Sequence, residues 1–134
     1  MSDLKTLLMN FTNRGTMYHC TKKSNLKKIL KEGIKPNKPK QITNAIHGVY
    51  LSIVPFDWMD LTTEKGKHAG LMIEIDVTDL PLRIDNGIDI DTWMKHPAFI
   101  YEGTIPVSRF KRISVSTKEK PNFFDDITEK IKYK

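Results

Sequence analysis

The sequence predicts an α+β fold in a single domain. Three observations carry this expectation. A length of 134 residues suits one domain. No internal repeat or linker divides the chain. One helical pattern lies early between two strand patterns, and the later strand patterns follow one another closely instead of alternating regularly with helices.

The elements follow in order. Residues 3–11 place Leu4, Leu7, Leu8 and Phe11 at i, i+3, i+4 and i+7, which predicts an amphipathic helix. Asn13, Arg14 and Gly15 break it. Residues 16–21 read as a short strand. Ser24 is the expected cap of a second helix whose apolar stripe is Leu26, Ile29 and Leu30. Gly33 fits the left-handed position that ends a helix, with Ile34 placed for an apolar contact. Pro36 and Pro39 prevent continuation. A polar loop over 38–47 precedes a strand over 48–54, which Pro55 ends. Residues 56–68 read as helix and loop. Residues 71–77 predict a strand with Leu71, Ile73 and Ile75 on one face and Met72, Glu74 and Asp76 on the other. A helical turn over 89–95 ends before Pro97, and 98–102 and 111–115 read as two further strands. Phe123, Phe124, Ile127 and Ile131 place a last amphipathic helix within 122–134.

Hydrophobic residues make up 39% and charged residues 28% of the chain, and the mean hydropathy is −0.42. These values exclude disordered and fibrous classes. No uncharged apolar run approaches the ~20 residues of a membrane span, so no membrane partner is expected. The opening MSDLKTLLMNF carries an early acid and no long apolar stretch, unlike a secretion signal. Cys20 is the single cysteine, which excludes an internal disulfide framework and a cysteine-rich zinc site. The expected setting is the reducing cytoplasm. Of the net charge of +6, a +7 segment lies in residues 22–40, where eight lysines face one acid, Glu32. Such a segment is either a solvated lysine-rich surface or a surface for phosphates and nucleic acid. Its candidate contacts are Lys22, Lys23, Lys27 and Lys28.

His19, His47, His68 and His96 are dispersed, with no paired-ligand spacing, so no metal is expected. No G-x-S-x-G, Walker or G-x-G-x-x-G pattern occurs. Cys20 stands beside His19, but neighbours on a strand point to opposite faces, so the two cannot form a nucleophile–base pair. Cys20 reads as a buried core thiol. In contrast, His19 and Thr21 share a strand face, as do Gly48, Tyr50 and Ser52. If those strands face each other across a cleft, imidazole and hydroxyls form a polar floor for ribose. A tyrosine ring beside them can stack on a flat heterocycle.

These residues belong to an ordered series. Tyr18-His19-Cys20-Thr21 is followed by Ser24-Asn25-Leu26, Ile29-Leu30, Gly33-Ile34 and Pro36, then by Gly48-Val49-Tyr50-Leu51-Ser52, and later by Tyr101 and Ile105-Pro106. The series resembles the ADP-ribosyltransferase superfamily, most of all its DNA-modifying toxin branch and more distantly the RNA 2′-phosphotransferases. The resemblance covers about residues 16–115, and it implies an ADP-ribosyltransferase-like fold over 1–134 with a split, curved, mostly antiparallel sheet. It also implies NAD as substrate, with His19 and Thr21 on ribose and Tyr50 against nicotinamide. Asn25, Ser52 and His96 are further candidate NAD contacts.

One position departs from the family pattern. The transferases carry a glutamate seven residues before the isoleucine of the Ile-Pro pair, and that position here is Ala98. Glu102 shares its strand face but lies about 13 Å farther along a regular strand, so it can replace the missing carboxylate only through a bulge near Gly103 or a shifted register. His96, two residues before Ala98, is the other candidate for acid–base work or phosphate binding. The leading expectation is NAD-dependent ADP-ribosyl transfer to nucleic acid or a nucleic-acid-associated protein, with His19, Tyr50 and Glu102 as the catalytic candidates, in a phage or toxin system. The alternative is a catalytically degenerate module of the same fold that binds a nucleotide, an ADP-ribosyl group or a protein partner as inhibitor or regulator. The RNA 2′-phosphotransferase reaction, which needs NAD but not the glutamate, is a third.

Overall fold

The computed structural model describes residues 15–37, 47–56, 59–64, 66–84, 89–120 and 123–132. Their strands form one antiparallel sheet of seven, in the order β4-β5-β2-β1-β3-β6-β7. The strands are β1 (Thr16–Lys22), β2 (Val49–Ser52), β3 (Gly70–Asp76), β4 (Arg83–Ile84), β5 (Ala98–Tyr101), β6 (Phe110–Val115) and β7 (Asp125–Asp126). The helices are α1 (Leu26–Glu32), α2 (Met59–Thr63), α3 (Ile90–Lys95) and α4 (Thr128–Lys132). The mixed α and β content and the antiparallel sheet agree with the expected class.

Alternation sets the two faces of the sheet. Leu71, Ile73 and Ile75 are fully buried on one face of β3, and the rungs to β1 and β6 extend that face through Met17 and Ile113. Val49, Leu51 and Phe99 carry it across β2 and β5, and Ile29, Trp93 and the partly buried Ile131 bring α1, α3 and α4 down onto it. The α2 helix packs on β1 and β3 from the other face, with Met59 over Gly70. Apolar burial at ~25 cal/mol per Å² makes the first face the main source of stability.

Several local expectations need correction. Ser24 does not cap α1; a 3-10 turn over Lys23–Asn25 precedes the helix, and Asn25 is the cap residue without a side-chain cap bond. Asn25 instead turns its amide back to Thr21. Cys20 is partly exposed rather than a core thiol, because its rung with Met72 puts it on the face opposite the main core. Phe123 and Phe124 precede β7 instead of starting the last helix, which spans only Thr128–Lys132. A tight turn, in which Asp126 Oδ1 accepts from the Thr128 amide, starts that helix late. The expected helix over 3–11 lies outside the described residues. The 89–95 turn is present as α3, where Asp89 accepts from the Thr92 amide at 2.8 Å, an N-cap bond that holds the Asp89 carboxyl below its ordinary range.

Candidate functional site

The sheet is two half-sheets that meet at one rung. β1 pairs β3 along all of Thr16–Lys22, and β2 pairs β5 along all of Val49–Ser52. Between β1 and β2 the ladder has the single rung Tyr18↔Ser52. If it continued, His19 would face Leu51 and Cys20 would face Tyr50. Instead the His19 side chain crosses the parting, and its Nδ1 lies 2.8 Å from the Tyr50 carbonyl oxygen.

That contact fixes the imidazole chemically. A carbonyl only accepts, so Nδ1 carries the proton, and in the neutral ring Nε2 is then an acceptor. Burial lowers the His19 pKa from its ordinary 6.5, opposed by the smaller effect of the bond to Tyr50. The ring is therefore neutral at pH 7 and able to accept a hydrogen bond from a hydroxyl. Thr21 is two residues along the same face, and its Oγ1 accepts from Asn25 Nδ2 at 2.8 Å. His19, Thr21 and Asn25 thus form one cluster where β1 leads into α1.

The depressed pKa of His19 has a stability consequence. The unfolded chain takes up a proton near pH 6.5 while the folded chain does not, so stability falls as pH drops from the ordinary value through the folded one. Glu64, Asp76 and Asp89 are held below their ordinary 4.5, 3.8 and 3.8 by hydrogen bonds and, for Glu64, by Lys22; their losses begin only at those more acid values. Urea midpoints measured from about pH 7.5 to about pH 5 are expected to decline in the wild type. His19→Asn, whose amide can still donate to the Tyr50 carbonyl, flattens the decline.

Tyr50 and Ser52 lie on the other pleat of the sheet, shared with Ala98 and Ile100 through the rungs Ser52↔Ala98 and Tyr50↔Ile100. The His19 side chain therefore reaches the Tyr50 backbone, and the shared polar floor is divided between the two faces at the rung. Ser52 is buried, with its hydroxyl 3.1 Å from the Val54 carbonyl and 3.4 Å from that of Tyr18. It closes the end of β2 rather than facing a cleft.

Ala98, where the sequence resemblance leads to the expectation of a glutamate, sits in a regular strand. β5 is regular, with four consecutive rungs to β2, and Ala98 is 5% exposed. Trp93 Nε1 donates to the Ala98 carbonyl at 2.9 Å, and the Trp93 ring meets Phe99 edge-on at 5.7 Å. Glu102 is past the end of β5, exposed, and its Oε1 is 2.8 Å from Arg83 Nη1. His96 is exposed at the other end, as the C-cap of α3. The six residue steps from His96 to Glu102 correspond to about 20 Å of extended chain, so one ligand centre cannot use both. Arg83 lies on a strand of two residues, too few for any periodicity to place it opposite Glu102 from sequence.

Lys23, Lys27 and Lys28 are exposed, and Lys22 is paired with Glu64 at 3.1 Å. Among the described residues no group of three histidine, cysteine, aspartate or glutamate side chains could hold a metal, and no helix is long and apolar enough to cross a membrane. No protein-family model, curated protein or solved structure matches the chain.

Proposed function

We propose that this chain is an ADP-ribosyltransferase-like domain that binds NAD or an ADP-ribosyl group at the parting of β1 and β2 and does not turn it over. The observation that carries the reading is the His19 imidazole, held neutral across the parting with Nδ1 on the Tyr50 carbonyl and Nε2 as an acceptor. In this reading Nε2 accepts from a ribose hydroxyl, and Thr21 and Asn25 hold the same sugar, while Tyr50 contributes its backbone carbonyl as the anchor of the ring. The single β1–β2 rung supports the split sheet that the sequence resemblance implies. The lysines of the turn and helix after β1 favour a nucleic acid as the macromolecular partner.

The absence of turnover follows from Ala98. Transfer breaks the bond between the ribose C1′ and the nicotinamide nitrogen, the electron pair leaves with nicotinamide, and an acceptor nucleophile bonds to C1′ as it loses its proton. A carboxylate beside the developing cation stabilises that step, and an alanine methyl in a regular strand cannot. The second reading, a transferase using Glu102, rests on the weakness of its tie: an exposed pair with Arg83 contributes under about 1 kcal/mol.

Thermal unfolding with and without NAD tests the site. Ligand at ~100 times its dissociation constant stabilises the folded state by about 2.7 kcal/mol. Asn25→Ala is expected to reduce this shift and leave the unliganded midpoint near the wild type, since Asn25 is exposed. Equal shifts in both proteins would refute the site. Release of nicotinamide by the wild type and not by Glu102→Gln would establish the transferase.

A further inference from the structure

Helix α3 carries two exposed apolar side chains one turn apart. Ile90 is 64% and Met94 60% exposed, at positions i and i+4 of the helix. The other side of α3 is fixed to the core: Trp93 is buried, its ring meets Phe99, and its Nε1 donates to the Ala98 carbonyl. At about 100° per residue, Ile90 and Met94 form one stripe, and Asp91 and Lys95 form the next. All four residues are exposed.

The charges on this face are sorted by end. Asp91 lies in the first turn and Lys95 in the last. Neither has an ion-pair partner among the described residues. Neighbouring charges are engaged elsewhere: Asp89 accepts from the amide and hydroxyl of Thr92, and Glu102 pairs with Arg83. An acid at the start and a base at the end make the face complementary to its own image under a twofold axis. When two such helices lie antiparallel, Ile90 of one copy meets Met94 of the other, and Asp91 meets Lys95. Symmetry then repeats both contacts. A parallel arrangement sets Asp91 against Asp91 and Lys95 against Lys95.

We propose that α3 is a self-association surface, occupied by a second copy of this chain docked antiparallel through Ile90, Asp91, Met94 and Lys95. The apolar pair excludes water at the centre, and the two acid–base pairs fix the register. A helix of six residues covers less than the ~1,200–2,000 Å² of a standard interface, so the dimer is weak and forms with rising concentration. The inference does not depend on the NAD reading.

Sedimentation velocity of the full chain from about 10 to about 500 μM tests the surface. The expected result is a reversible monomer–dimer equilibrium, with the dimer populated towards the top of that range and diminished by added salt. Met94→Ser is expected to weaken association at least ~tenfold, and Asp91→Lys and Lys95→Glu each to do the same. The two charge substitutions together restore association, because each acid again faces a base. Thermal midpoints show whether each variant keeps the fold, and Ile90→Thr supplies a second apolar variant. A monomer across the whole range overturns the proposal. Wild-type association in both Met94→Ser and Ile90→Thr also overturns it, since the contact then lies elsewhere. A folded double charge variant that associates no better than the single ones excludes the antiparallel register and overturns it as well.

Discussion

Trp93→Ala is expected to destabilise the protein by about 3–5 kcal/mol, the range for removing a buried large aromatic. Trp93 is 2% exposed, so the loss includes both its apolar area and a cavity against Phe99. The Ala98 carbonyl also loses the indole donor. Chemical denaturation of the variant measures the effect. Trp93→Phe is expected to recover most of the packing term and none of the hydrogen bond. A loss below about 1 kcal/mol for the alanine variant would mean that α3 is not anchored through this residue.

Gly33→Ala is expected to be the most damaging small change. Gly33 has φ 78 and ψ −176, a region open in practice only to glycine. An added Cβ would also sit 2.5 Å from the backbone carbonyl oxygen of Ile105, too close for any side-chain rearrangement to relieve. That approach comes from the bridge between Ile34 and Ile105, whose amides and carbonyls exchange two bonds of 2.9 Å. Strain of about 1–3 kcal/mol for the backbone alone, with the clash added, predicts a loss of at least 2 kcal/mol or so. A thermal midpoint within a degree or so of wild type would contradict this backbone geometry.

The same position shows what the sequence made legible. A glycine closing an apolar stripe, followed by isoleucine and then proline, pointed to a helix end with positive φ, and Gly33 has it. Its ψ is extended rather than left-handed-helical, because the chain turns to bridge Ile105, 71 residues on, and local sequence carries no trace of so distant a partner. The β3 alternation was readable because one face is fully buried and the period of two is strict. The strands β4 and β7, each two residues long, have no period to read. Among the site residues, the pairing of His19 and Thr21 on one face was legible from strand geometry. The division of Tyr50 from them was not, because it depends on which residue of β2 forms the single rung with β1. Phe123 and Phe124 fitted a helical spacing with Ile127 and Ile131, and the turn at Asp126–Thr128 overrode it.

The central claim is that the neutral His19 ring, held by the Tyr50 carbonyl, receives an ADP-ribosyl group without consuming NAD. Titration calorimetry with ADP-ribose and with NAD, run on the wild type and on His19→Asn, tests it most directly, with the NAD cell assayed afterwards for free nicotinamide. The expected result is one-to-one binding of both ligands to the wild type, at least tenfold weaker binding to His19→Asn, which lacks the Nε2 acceptor, and intact NAD at the end. No binding to the wild type, or equal affinity in the two proteins, would contradict the site, and free nicotinamide produced by the wild type would contradict the absence of turnover.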